Sequence, residues 1–129
     1  MFTHIHFQTI PVVDIARALA FYRDVMGFEI ERDNPYGESR WIFMRIPGAR
    51  TLLHFEQVER VERGETPALI LATDDVDATC ERLRGRGADI AREPADAPWE
   101  PGTRWAYVND SEGNLVLLQT IKKEDGADG

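Results

Sequence analysis

Two stretches of this chain carry apolar residues at helical spacing, and most of the rest alternates apolar and polar at every second position. The first lies in HFQTIPVVDIARALAFYRDVMGFEI, where Ile15, Ala18, Leu19, Tyr22, Val25 and Met26 recur three and four apart. Asp14 stands at the N-cap, where its carboxylate accepts from the backbone N–H groups of the first turn. Gly27 is placed to end the helix in the left-handed conformation. The second lies in PALILATDDVDATCERLRGRGADI: Asp75 caps it, Val76, Thr79, Cys80 and Leu83 form the stripe, and Gly87 stops it. A strand precedes each capping aspartate and another follows each glycine, FEIER in the first case and ADIAR in the second.

The echo continues beyond the helices. GESRWIFMRI is answered by PGTRWAYVND, with Arg40–Trp41 matched by Arg104–Trp105. Each run passes through a turn, PGAR or DSEGN, into a last strand, TLLHFE or LVLLQT. Each half is therefore a βαβββ module of roughly 60 residues, a repeat best explained by duplication. The modules cover 1–57 and 66–121, joined by the polar VERVERGETP at 58–67. One helix on so few residues makes a thin core. The expected class is α+β, with residues 1–121 forming one domain whose two tandem modules build a cupped mixed sheet backed by the helices. KKEDGADG, 122–129, reads as a disordered tail.

Alternation also sorts the faces. Ile42, Met44, Ile46, Leu53 and Phe55 suit the helix side of the first module, as do Ala106, Val108, Val116 and Leu118 in the second. The opposite face then holds Trp41, Phe43, Arg45, Leu52, His54, Glu56, Trp105, Tyr107, Leu115, Leu117 and Gln119. Apolar walls with a few polar anchors suit a small-molecule pocket, and the same face also suits a subunit interface.

Charge narrows the partners. The 129 residues carry a formal charge of −8 and an estimated pI of 4.8. Such a surface repels a phosphate backbone and attracts a cationic small molecule. Arg82, Arg84 and Arg86 cluster only where cations complement a helix C-terminus. No apolar run approaches the ~20 residues that span a bilayer, and no charged-then-apolar leader opens the chain, so the cytoplasm is the expected compartment. Cys80 is alone and falls on a buried stripe, where a thiol is an inert small hydrophobe. Phosphate-cradling glycine loops, nucleophile elbows and dinucleotide fingerprints are absent from the sequence.

The polar pair in LLHFEQ is the main candidate chemistry. His54 and Glu56 are two apart on a strand and share a face. They read as half of a metal site, as an acid–base pair with Glu56 as base and His54 as acid or orienting partner, or as polar lining of a groove. His4 and His6 share one strand face, expected to turn away from that of Phe7 and Thr9. A bulge would reverse that parity and allow a metal site of His6, His54 and Glu56.

The run DIARALAFYRDVMGFEI, the duplicated module and NDSEGNLVLLQ closely resemble the vicinal oxygen chelate superfamily over residues 3–121. That superfamily includes glyoxalase I, bleomycin-resistance proteins, fosfomycin-resistance enzymes and extradiol dioxygenases. The resemblance implies paired βαβββ modules in a cupped sheet and, at this length, a homodimer in which each cup draws on both subunits. Metal-using members carry ligands on the first and fourth strands of each module. Those positions correspond here to Phe7, His54, Ala68 and Leu117, of which only His54 can coordinate a divalent ion. Catalytic metal sites need about three protein ligands, and without a Lewis acid the glyoxalase and dioxygenase reactions lose their electrophilic stabilisation.

The expectation is thus a metal-independent, cofactor-free small-molecule-binding protein, akin to drug-sequestering members. Its ligand would be an apolar or planar small molecule, with a cationic one favoured by the acidic surface. Phe7, Thr9, Trp41, Phe43, Arg45, His54, Glu56, Trp105, Tyr107, Leu117 and Gln119 are the expected contact residues. The alternative is an enzyme of the same superfamily (lyase, isomerase or dioxygenase) with a rearranged metal site or the His54/Glu56 pair.

Overall fold

The computed structural model describes residues 1–121; the expected tail at 122–129 lies outside the described residues. The elements are β1 (Phe7–Val12), α1 (Ile15–Ala20), β2 (Glu29–Tyr36), β3 (Ser39–Arg45), β4 (Leu52–Gln57), β5 (Leu69–Thr73), α2 (Val76–Gly85), β6 (Asp89–Asp96), β7 (Arg104–Asn109) and β8 (Leu115–Thr120). Helix α1 runs on as a π-helical turn over Phe21–Val25. The strands form two mixed four-stranded sheets, ordered β1-β4-β3-β2 and β5-β8-β7-β6, so the βαβββ module is written twice and the class is α+β. By their contacts the described residues divide into Met1–Arg63 with Asp110–Asn114, and Gly64–Asn109 with 115–121.

In the first unit the Asp14 carboxylate accepts from the backbone N–H of Arg17 at 3.0 Å, which starts the helix. Gly27 ends it at φ +82°, a conformation that a side chain disfavours. Ile15, Ala18, Leu19 and Tyr22 are buried, as are Ile10, Val12, Ile42, Met44, Leu53 and Phe55 from the sheet. The Tyr22 ring lies 5.7 Å from that of Phe55, which ties helix to sheet. Ile46, expected on the helix side, is exposed instead, because β3 stops at Arg45 and the chain turns there. Strand β2 is longer than FEIER suggests: its second half is polar and exposed, pairing with β3 as the outer strand of the sheet.

The turn DSEGN carries a hydrogen-bond network in this unit. Tyr22 donates its hydroxyl to Asp110 at 2.8 Å, and Asp110 also accepts from the N–H groups of Glu112 and Asn114. Glu112 is buried and accepts from the backbone N–H groups of Val13 and Asp14 and from the Arg17 guanidinium at 2.7 Å. Burial pushes the Glu112 carboxyl up, but Arg17, the two backbone donors and the Ser111 hydroxyl outweigh it and hold the pKa at about 2. AFYRD and DSEGN, far apart in sequence, are thus two halves of one polar lock.

The second unit repeats the logic. Asp75 accepts from the N–H of Ala78 at 2.9 Å, and Gly87 leaves α2 at φ +92°. Val76, Cys80 and Leu83 are buried, as are Leu69, Ala106, Val108, Val116 and Leu118 from the sheet. Burial raises the Cys80 thiol pKa above its ordinary value, as suits a packing residue.

Candidate functional site

On the first sheet, the face away from α1 carries a cluster of rings around one imidazole. Register places Thr9 beside His54 and Phe43 opposite it. The His54 ring lies 4.3 Å from Trp41, 5.5 Å from Phe7 and 5.7 Å from Phe43. Its Nδ1 is 3.2 Å from the Thr9 hydroxyl. Burial lowers the His54 pKa below 6.5 despite the opposing charge of Glu56. The imidazole is therefore neutral at pH 7, as desolvation dictates.

Beside this cluster the sheet opens. The β3–β4 ladder runs from Arg45↔Leu52 to Phe43↔His54 and ends there, whereas the matching β7–β8 ladder continues to Trp105↔Gln119. Beyond the last rung, a groove of about 320 Å³ is lined by Tyr36, Ser39, Arg40, Trp41, His54, Phe55, Glu56 and Gln57. Arg40 is held by Asp33 at 2.6 Å, which neutralises it. Glu56 and the neutral imidazole therefore set the polarity of the groove, against the two aromatic walls Tyr36 and Trp41.

The second sheet presents a fuller surface. Ala97, Trp105 and Leu117 form a buried cluster with Ala95 and Tyr107 packed against it. Trp99 covers Trp105 with ring centroids 5.0 Å apart, and its indole N–H donates to Gln119 at 3.3 Å. The Arg92 guanidinium lies 4.7 Å from the Trp105 ring centroid.

The expected contact residues fall into two groups. Phe7, Thr9, Trp41, Phe43 and His54 come together, with Glu56 in the adjoining groove. Arg45 turns to the outer strand, where it meets Glu29 and Glu31. Trp105, Tyr107 and Leu117 share the second unit's cluster, with Gln119 beneath Trp99. His6, expected to face away, has its ring 5.2 Å from Phe7 and 6.0 Å from Phe43, because it precedes β1 and escapes the strand's alternation. His4 meets only the neighbouring Thr3 hydroxyl among the hydrogen bonds described.

Alternation missed Tyr36, Arg32, Arg92 and Trp99. The two arginines lie past a bulge, which shifts face parity without leaving a composition signal. Trp99 did have one, as a lone tryptophan in the loop PADAPWEPG.

The positions at which metal-using relatives carry ligands can be tested against this geometry. Thr9 pairs with His54 and Ile70 with Leu117, so Phe7 and Ala68, each two residues earlier, occupy equivalent places. His54 and Leu117 also pair with Phe43 and Tyr107 respectively. One imidazole with an engaged Nδ1, two hydrocarbon side chains and a phenyl ring do not make a donor set for a divalent ion. Among the described residues, no three His, Cys, Asp or Glu side chains are grouped to hold one.

Residues 3–118 match the profile of the Glyoxalase/Bleomycin resistance protein/Dioxygenase superfamily. The chain is 30% identical over 126 residues to a probable lactoylglutathione lyase of Synechocystis, covering 90% of this chain and 95% of that protein. Among solved structures it is similar to TnmS3, an antibiotic binding protein from Streptomyces, with a TM-score of 0.78 at 32% identity over 94% of this chain and 98% of that one. A superfamily member from Sphaerobacter thermophilus gives a TM-score of 0.80 at 29% identity over 93% and 98%.

Proposed function

Since this chain belongs to the Glyoxalase/Bleomycin resistance protein/Dioxygenase superfamily, we propose that it binds an apolar or planar small molecule without a metal ion. The observation that carries this reading is the Phe7–Trp41–Phe43 cluster around a neutral His54, beside the groove between β3 and β4. Aromatic walls supply stacking area with little loss of side-chain freedom. With Nδ1 engaged by Thr9, the other ring nitrogen of His54 is the one left to orient a polar group of the ligand. The likeness to an antibiotic binding protein supports a ligand of that general kind. A homodimer in the cytoplasm belongs to the same proposal, and light scattering tests the assembly.

The test is a fluorescence titration with a neutral planar probe, pyrene-1-carboxamide. Saturable binding is expected, weakened about tenfold in Trp41→Ala, the scale of one lost stacking contact. Binding left unchanged by Trp41→Ala and by His54→Ala would overturn the assignment of the site.

A second reading, an enzyme, is favoured by the likeness to a probable lactoylglutathione lyase over nearly its whole length. It requires donors that three of the four equivalent positions lack. Thermal melts with nickel, zinc, manganese and chelator separate the two readings. Melts that superpose support the binding protein; a melt raised by one stoichiometric metal and lowered by chelator supports the enzyme.

A further inference from the structure

Resting on the reading above, we infer that the second unit's aromatic face selects a planar ligand with an anionic oxygen at its ring edge. Arg92 is the specificity-determining residue, and the Trp105 indole N–H is the second donor.

A bulge between Ile90 and Arg92 carries the first part of the argument. Ile90 pairs with buried Val108, so an unbroken ladder would set Arg92 opposite buried Ala106, on the helix side. The extra residue switches the parity, and Arg92 pairs with Tyr107 instead. The same irregularity recurs between Ile30 and Arg32, where Arg32 pairs with Phe43 and lies 5.8 Å from its ring centroid. Both modules thus place a guanidinium on the aromatic face.

Its charge is unspent. Arg17, Arg40, Arg45, Arg84 and Arg104 each meet a carboxylate, but no ion pair involves Arg92 among the described residues. The acids of β6 are engaged elsewhere: Asp89 by Asn109, Glu93 by Arg84 and Asp96 by Arg104. Gln119, two residues after Leu117 as Glu56 is two after His54, pairs with Trp105, so a neutral amide stands where the first module has a carboxylate.

The indole supplies an independent observation. Trp105 is 8% exposed, and its Nε1–H is buried without a hydrogen-bond partner among the described residues. A buried donor left unpaired is unfavourable, and a ligand oxygen would satisfy it. Trp99, half exposed above Trp105, is the ring that gives way to admit one, releasing Gln119 from its long hydrogen bond. The net charge of −8 favours cations at long range, but at contact the unpaired guanidinium sets the sign.

The experiment compares pyrene-1-carboxylate, pyrene-1-carboxamide and pyrene-1-methylammonium on the full chain by fluorescence titration. The expected order is carboxylate, then carboxamide, then ammonium, with about a tenfold preference for carboxylate over carboxamide, the scale of one charge-assisted hydrogen bond. Arg92→Met keeps an apolar stem over the indole and is expected to bring carboxylate and carboxamide together. Trp105→Phe keeps a ring but no N–H, and is expected to weaken carboxylate binding several-fold. Equal binding of the three probes, or a carboxylate preference that survives Arg92→Met, overturns the inference and leaves the binding reading standing. Failure of all three probes to bind overturns both.

Discussion

Glu112 illustrates at the residue scale how one side chain can outweigh its own desolvation. Its folded pKa of about 2 lies below the ordinary 4.5, so its contribution is fully present above pH 4.5 and is lost as pH falls towards 2. That difference amounts to roughly 3 kcal/mol. Glu112→Gln should therefore be less stable than the parent at pH 7 by up to about that amount. The two should converge near pH 2, as urea unfolding across pH would show. His54 works in the opposite sense. Burial holds its folded pKa below 6.5, so folding loses stability as pH falls from 6.5 through the folded value, and an NMR titration of the imidazole should give a midpoint below that of a free histidine. The presence of His54 and Glu56 on one strand face was legible from spacing alone. The Thr9 partner required the parallel pairing of β1 with β4, which joins residues 45 apart in sequence.

Elements were legible where a local rule governs them. Asp14 and Asp75 cap because a carboxylate beside a helix start finds free N–H groups within a turn, and Gly27 and Gly87 stop because the chain there is left-handed. Gly27→Ala and Gly87→Ala should each cost about 1 kcal/mol, read as a lower urea midpoint at unchanged slope. Gly85 offers the contrast. It lies within α2 at an ordinary φ, with open space where a methyl group would stand, so Gly85→Ala should be neutral or stabilising by up to about 1 kcal/mol. The bulges before Arg32 and Arg92 obey no comparable rule. Whether an extra residue is accommodated depends on the partner strand, and strict alternation consequently sets both arginines on the wrong face.

For the whole molecule, net charge and duplication are the sequence's strongest statements. With −8 overall, a fluorescein-labelled DNA duplex should show no anisotropy change with this protein at about 0.1 M salt, since a surface of that sign repels the phosphate backbone. No helix among the described residues is long and apolar enough to cross a membrane. The two βαβββ modules, their caps and their buried stripes could be read directly from the order of residues, because each rests on interactions within a few positions of the chain. The Tyr22–Asp110 and Arg17–Glu112 bonds, the early end of the β3–β4 ladder and the covering of Trp105 by Trp99 could not. Each depends on which distant strand or turn arrives alongside, and alternating polarity records only that a side chain faces one way or the other, not what it will meet there.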